Sequence, residues 1–105
     1  MPMTCETKLQ GETAFLTLSG TINEEGAAIL KQQFNTLPQN QIKELVINLA
    51  SVSHIGSSGI GKLLLFYKNI AAQNGTVRLV MVPRPIHELF MELRLDTLFS
   101  MSTGN

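Results

Sequence analysis

The residues best suited to chemistry are concentrated in residues 51–62, whose sequence is SVSHIGSSGIGK. Ser57 and Ser58 stand there among three glycines, where an apolar helix is predicted to begin. The free N–H groups and partial positive charge of a helix start favour anions, and glycine lets another backbone approach closely. The segment therefore suits phosphate binding, nucleophilic catalysis or recognition of another protein, besides a structural interpretation in which Ser57 only caps the helix.

A phosphate-binding loop is the first of these interpretations. Residues 56–62 match the pattern G-x-x-x-x-G-K, but Leu63 follows where the pattern needs Ser or Thr to hold magnesium. A stretch of apolar and polar residues, 51–55, also separates the preceding apolar strand from the glycines, whereas the phosphate-binding loop follows its strand directly. The strand predicted at residues 77–82 ends in Pro83, without an Asp for the metal. A small nucleotide-binding protein using residues 56–62 is kept as the alternative from another functional class.

Nucleophilic catalysis finds less support in the same segment. The hydrolase pattern G-x-S-x-G requires glycine at position 60, which is Ile60. His54 lies three residues before Ser57, but the segment holds no acidic residue to orient it. Neither His54 nor His87 has a Cys or His partner at the spacing of metal ligands. We therefore predict that the protein is not an enzyme and uses no cofactor or metal.

The elements that position this segment follow from hydrophobic periodicity. Four strands are predicted, at residues 7–10, 14–19, 44–49 and 77–82. Three helices are predicted: residues 22–34 with Asn23 as N-cap, residues 57–73 stopped by Gly75, and a last helix with Pro85 in its first turn. The apolar stripe of the second helix consists of Ile60, Leu63, Leu64, Tyr67, Ile70 and Ala71. Leu64 and Tyr67, in the middle of that stripe, are predicted to be buried. The third helix is expected to bury Ile86, Leu89, Phe90 and Leu93, and Leu95, Leu98 and Phe99 to form a closing apolar turn.

The order of these elements predicts an α/β fold. Strand–helix–strand units give parallel neighbours with right-handed crossovers, so successive crossovers place their helices on the same sheet face. Within the third strand, apolar residues alternate with Glu44 and Asn48, as expected for a sheet covered on one side. We predict a mixed four-stranded sheet with helices mainly on one face.

Composition limits the partners and the location. The 105 residues fit one domain, 1–105, and a hydrophobic fraction of 44% is enough for a core. Eight basic residues balance eight acidic ones, which argues against direct binding of nucleic acid. Cys5 is the only cysteine, the start of the chain does not read as a signal peptide, and the apolar runs are too short for membrane insertion. A cytoplasmic location is expected.

Recognition of another protein gains support from a resemblance. An apolar strand (VINLA, residues 46–50) is followed by SVSHIGSSGIGKLLLFYK, then by GTVRLVMV from Gly75 and LRLDTLF from Leu93. Residues 46–101 thereby resemble the core of the STAS family, the domain of bacterial anti-sigma-factor antagonists, and LSGTI at residues 18–22 fits more loosely. The family typically shows Asp-Ser-Ser-Gly-Leu-Gly at the helix start, so Gly56 stands where that family has Asp.

The resemblance implies a phosphorylation-switched regulator of bacterial signal transduction and transcription that acts by partner switching. Such a domain binds a GHKL-type serine kinase, which is also an anti-sigma factor, and thereby releases the kinase's target. The kinase phosphorylates the first serine of the Ser-Ser-Gly block, which is Ser57 here with Ser58 as the fallback, and a PP2C-type phosphatase resets the cycle. The expected partner-binding residues are His54, Ile55, Gly56, Ser57, Ser58, Gly59, Gly61 and Lys62, with Lys68 further along the helix. The alternative within the family is a STAS subunit of another regulatory or transport complex, without a phosphoswitch.

Overall fold

Five strands and three α helices alternate along residues 3–103, the part of the chain that the computed structural model describes. They are β1 Thr4–Gln10, β2 Thr13–Ile22, α1 Glu24–Asn35, β3 Glu44–Ile55, α2 Ser57–Ala71, β4 Thr76–Val82, α3 Arg84–Glu92 and β5 Ser100–Thr103, with 3-10 turns at Gln39–Gln41 and Leu95–Thr97. This confirms the predicted α/β class and the order of the seven predicted elements. No helix in the described part combines the length and apolar character needed to cross a membrane.

The sheet is mixed, with strand order β1-β2-β3-β4-β5. The short hairpin around Gly11, whose φ is 61°, makes β1 and β2 antiparallel. All other neighbours are parallel, because helices or longer connections return the chain to the start of the sheet. The strands β2, β3 and β4 consequently end at one edge, where α1, α2 and α3 begin, and we call this the C-terminal edge.

The prediction of four strands was wrong by one strand. The fifth, β5, has the sequence SMST and pairs in parallel with the outer side of β4. It is short and mostly polar, and it lies at the margin of the sheet, where no alternation of buried and exposed residues is needed. An alternating apolar pattern could not have revealed it.

The core lies on the helix-covered face of the sheet, as predicted. Ala14, Leu16 and Leu18 of β2 are fully buried there, beside Leu45 and Ile47 of β3. The opposite face is more open and carries an ion pair between Arg78 and Glu44, with 3.3 Å between the closest N and O atoms. The two faces therefore differ in the way that a sheet with helices on one side requires.

The buried face of α2 is rotated from the predicted stripe. Gly59, Leu63, Phe66 and Ile70 are the buried residues of the helix, whereas Leu64 and Tyr67 are only partly buried. Leu63 and Ile70 are buried as predicted, but the predicted stripe began at Ile60 because glycine has no apolar side chain, and it therefore included Leu64 and Tyr67 in place of Phe66. Phe66 stacks on Phe34 of α1, with 4.1 Å between ring centroids, so the two helices are packed side by side.

The ends of α2 and α3 also differ from prediction. The helix α2 ends at Ala71, and Asn74, with φ 65°, is the left-handed residue beyond it. Gly75 donates its N–H to the carbonyl of Ile70 at 2.9 Å, as in a Schellman motif. Glycine is needed there for space, since a Cβ would lie 2.6 Å from Ile70 Cγ2. In α3, Ile86 and Phe90 are buried as predicted, but Leu93 is 48% exposed.

Candidate functional site

A two-stranded ribbon carries the segment singled out in the sequence. The strand β3 continues beyond the predicted residue 49 to Ile55, and its last part pairs with β2 from Ser19↔Ser51 to Ile22↔Ile55. Pairing of β3 with β4 has already ended at Asn48↔Val80. Residues 19–22 and 51–55 therefore project from the C-terminal edge as what we call the β2–β3 ribbon. Its polar residues had suggested a link rather than a strand.

The helix α2 begins directly after this ribbon, and its N-cap is Gly56. The residue is extended, with φ −96° and ψ −178°, and its N–H donates to the carbonyl of Ile22 at 2.9 Å. Its own carbonyl accepts the first helical bond, from Ile60 N–H at 3.1 Å. No side chain caps the helix, so the interpretation of Ser57 as a cap was wrong. Ser57 is instead the first residue within the helix, and it is exposed.

Gly59 sets how closely α2 can approach the ribbon. A Cβ at this position would lie 2.6 Å from Ile22 Cγ2 and 2.8 Å from Ile55 Cγ1. Such contacts are shorter than real Cβ atoms show, and both isoleucines are buried and β-branched. The glycine therefore allows the first turn of α2 to lie directly on the ribbon, which holds Ser57 in a fixed position.

The expected partner-binding residues divide by exposure. His54, Ser57 and Gly61 are exposed, and Gly56, Ser58 and Lys62 are partly so. The buried residues Ile55 and Gly59 face the core side of the ribbon and support the others from beneath. Lys68 is exposed six positions beyond Lys62, about 9 Å further along α2. The structure thus brings most of the predicted residues to one surface, at the tip of the ribbon and the start of α2.

The electrostatic setting of Ser57 is that of a bare helix start. The first turn of α2 contains no acidic residue, and its N-cap contributes no side chain. The partial positive charge of the free N–H groups is therefore not balanced by α2 itself. An anionic group on the Ser57 hydroxyl would experience a favourable field from its own helix.

The phosphate-loop alternative requires a geometry that this segment lacks. In that motif a glycine-rich loop turns successive backbone N–H groups toward the phosphates. Here Ser57 to Lys62 all lie within α2, where the first helical bond is donated by Ile60, so the N–H groups from Ile60 onward belong to the helical hydrogen-bond ladder and only those of the first turn are free. Lys62 lies in the second turn of the helix rather than at the end of a loop. The match to the pattern is thus one of sequence and not of backbone conformation.

Groups that could support other chemistry lie elsewhere or do not converge. Across residues 3–103, no cluster of three His, Cys, Asp or Glu side chains could hold a metal ion. The thiol of Cys5 is on β1, the strand most distant from α3 and β5 in the sheet order. Burial, with a smaller contribution from the charge of Glu6, raises the pKa of Cys5 to about 11. At neutral pH it therefore remains a protonated thiol and a poor nucleophile.

A family model identifies the class of protein to which this arrangement belongs. Residues 4–104 match the model of the STAS domain, which is nearly the whole chain. The chain is therefore a member of the STAS domain family, as the resemblance of residues 46–101 had implied.

Solved structures share the fold across almost the whole chain. An anti-sigma factor antagonist from Mycobacterium paratuberculosis superposes with a TM-score of 0.82 at 23% identity, covering 94% of this chain and 84% of that one. The anti-sigma factor antagonist SpoIIAA in its unphosphorylated form gives 0.77 at 17% identity, covering 97% and 90%. The Bacillus cell fate determinant SpoIIAA in its phosphorylated form gives 0.76 at 19% identity, covering 95% and 92%. At these identities the likeness shows a common fold.

Proposed function

We propose that this protein is an anti-sigma factor antagonist of the bacterial cytoplasm, a binding module without catalytic activity of its own. It binds an anti-sigma factor through the exposed surface around Ser57 and releases the factor's target. Phosphorylation of Ser57 ends the binding. The observation that carries this proposal is that Ser57 is exposed at the first position of α2 while its hydroxyl is not used as a cap.

The switch follows from the charge that phosphorylation adds. A phosphoserine carries about −1.5 to −2 charges at pH 7. Within this domain the bare start of α2 stabilises that charge, whereas a partner docked on the same surface must desolvate or repel it. A loss of about 3 kcal/mol of binding free energy weakens an interface more than a hundredfold. The modification therefore separates the complex without unfolding the domain.

The partner class follows from the same cycle. The proposed kinase is a GHKL-type serine kinase that is itself the anti-sigma factor, and the proposed phosphatase is of PP2C type. The fold likeness to SpoIIAA, which is known in both its unphosphorylated and phosphorylated forms, supports a domain that keeps its structure on phosphorylation. Nothing in the proposal requires direct contact with nucleic acid or a membrane.

A second candidate rests on Gly56. This residue stands where the family pattern has Asp, and it leaves the start of α2 without a carboxylate. In this alternative the protein is a STAS subunit that binds a partner permanently through the same surface and is never phosphorylated. The two candidates differ only in the modification, so they can be separated by one pair of measurements.

The first measurement is the affinity for the cognate anti-sigma factor, by calorimetry, of the parent chain and of Ser57→Ala and Ser57→Asp. We expect Ser57→Ala to bind like the parent and Ser57→Asp to bind about tenfold or more weakly, because the carboxylate adds charge where the partner docks. Ser100→Asp on β5 is the control, since it adds the same charge at an exposed residue on the outer strand of the sheet. Equal affinities for all four chains contradict the switch.

The second measurement is the intact mass after incubation with the kinase and ATP. The proposal expects one added phosphate on the parent and on Ser58→Ala, and none on Ser57→Ala. Phosphate on Ser57→Ala but not on Ser58→Ala assigns the fallback acceptor instead. Tight binding with no phosphate on any chain supports the permanent subunit.

A further inference from the structure

Met81 adopts a backbone conformation that its side chain disfavours. It lies near the end of β4 with φ 54°, in the left-handed region. For a residue with a Cβ this region is crowded, and a long side chain there is uncommon. Met81 is also 41% exposed and is one of the large apolar residues left in contact with solvent.

A bulge in β4 accounts for the backbone of Met81. The β4–β5 register runs from Leu79↔Met101 to Val82↔Thr103, so β4 contains one residue more than β5 between these pairs. The extra residue lets Leu79 and Val82 both reach the core, where each is fully buried, and it turns Met81 outward. The neighbouring strand does not restrain the bulge, since β3 pairs with β4 only as far as Val80.

The bulge does not account for the choice of methionine. Glycine adopts a positive φ without a steric penalty, so it suits a left-handed position in a bulge better than methionine does. Asparagine also tolerates the conformation better than a long apolar side chain. Residues held in disfavoured conformations are concentrated at functional sites, so the strained backbone of Met81 motivates a functional interpretation.

The position of Met81 indicates which purpose. It lies one residue before the end of β4, and α3 begins two residues later at Arg84. Met81 is therefore on the C-terminal edge, the same edge from which the β2–β3 ribbon and the start of α2 project. A protein docked on Ser57 meets this edge of the sheet. An unbranched, polarisable methionine side chain adapts well to an apolar pocket on such a partner.

We propose that Met81 is an apolar anchor for the partner that binds at Ser57, and that it inserts into a hydrophobic pocket beside the partner's Ser57-contacting surface. This inference rests on the proposed function for the existence of that partner. The Met81 anchor adds a contact with the partner that does not depend on phosphorylation of Ser57. Binding then combines two parts: an apolar anchor at Met81, and a charge-sensitive contact at Ser57.

The test compares Met81→Gly and Met81→Asn with the parent chain, by affinity for the anti-sigma factor and by thermal melting. Both replacements accept a positive φ, so the Tm is expected to equal or exceed that of the parent, although glycine also makes the unfolded chain more flexible. The affinity is expected to fall about tenfold or more, as for truncation of a buried anchor. Met91→Gln is the matched control, because Met91 is similarly exposed, at 43%, but lies at the far end of α3.

The outcomes separate this inference from the proposed function. Loss of affinity in Ser57→Asp with affinities within twofold of the parent for both Met81 variants overturns the anchor and leaves the switch. Loss of affinity in the Met81 variants alone supports the anchor and overturns the switch. A Tm that falls by several degrees in both Met81 variants overturns the anchor, because the side chain then supports the fold. A parent chain that binds no anti-sigma factor overturns both proposals.

Discussion

The helices α1 and α2 begin at the same edge of the sheet, but the N–H groups of their first turns are treated differently: α1 has a side-chain cap and α2 has none. The Asn23 side chain caps α1 by accepting the N–H of Gly26 at 2.9 Å, and Glu24 and Glu25 follow in the first turn. The helix α2 has Gly56 at the same position, no side-chain cap and no acid in its first turn. One helix start is therefore satisfied by its own residues, and the other keeps its N–H groups and its positive field available.

The similarities between the two starts make this difference informative. In each helix a glycine stands three residues after the N-cap, at Gly26 and Gly59, and in each a Cβ would meet a neighbour at 3.0 Å or less. Both helices are thus pressed closely onto the chain beneath them, and Phe34 and Phe66 hold them together. Since a glycine permits close packing at both starts, close packing alone does not dictate whether a helix start has a side-chain cap. In the proposed function, this uncapped start is the one that stabilises a phosphate on Ser57.

Among substitutions at the two helix starts, Gly59→Ala is expected to have the largest effect on stability, because Gly59 is closely packed. Gly59→Ala should lower the free energy of unfolding by about 1–3 kcal/mol, because the added methyl group overpacks against Ile22 and Ile55. Gly61→Ala is the control in the same helix. Its Cβ meets nothing within 4 Å, and we expect a gain of about 0.5–1 kcal/mol from helix propensity. Urea unfolding of both variants measures the difference, and equal stabilities would show that α2 does not lie on the ribbon as described.

Removing the cap of α1 is expected to have the next largest effect. Asn23→Ala should cost about 0.5–2 kcal/mol, because the N–H of Gly26 loses its acceptor. Ser57→Ala, at the start of α2, should change stability by less than about 0.5 kcal/mol, since an exposed residue that caps nothing is replaced. Thermal melting of the two variants compares the starts directly. A loss in Ser57→Ala as large as that in Asn23→Ala contradicts the assignment of Gly56 as N-cap.

Most of the fold could be predicted from hydrophobic periodicity, and the errors have identifiable physical causes. The strands β3 and β4 and the helix α2 alternate or repeat strongly enough to be recognised, and Asn23 was correctly predicted as a cap. The strand β5 was missed because its polar residues lie at an edge that buries little. The buried face of α2 was displaced because Gly59, its first buried position, has no apolar side chain.

The site could be located from the sequence but not described in detail. The serines and glycines of residues 56–61 marked the start of α2 correctly. Serine is a common cap, so Ser57 was given a role that belongs to Gly56, whose extended backbone needs no side chain to begin the helix. The ribbon was hidden by the exposed polar residues Ser51 and Ser53, and Met81 has no preference for a positive φ that a sequence could reveal.

The substitution with the smallest expected effect on stability is Gly56→Asp. It tests the comparison of the two helix starts most directly, because it gives α2 the kind of side-chain cap that α1 has. Gly56→Asp fits without strain: φ is −96°, and the nearest atom to a Cβ is the Ile22 carbonyl oxygen at 3.8 Å. The carboxylate can accept an N–H of the first turn, so we expect stability to rise by about 0.4–1 kcal/mol, from the cap and from a less flexible unfolded chain. Gly61→Asp, in open space in the second turn, is the control for added charge.

The same variant also separates the two candidate functions. If the bare start of α2 serves to stabilise a phosphate on Ser57, the carboxylate of Gly56→Asp occupies the same N–H groups. Phosphorylation should then raise the Tm of the parent chain more than that of Gly56→Asp, because the field that stabilises the phosphate is already partly neutralised. Differential scanning calorimetry of both chains, before and after complete phosphorylation, measures the two shifts. Equal shifts would mean that the phosphate does not use the start of α2, and that the contrast with α1 has no part in the switch.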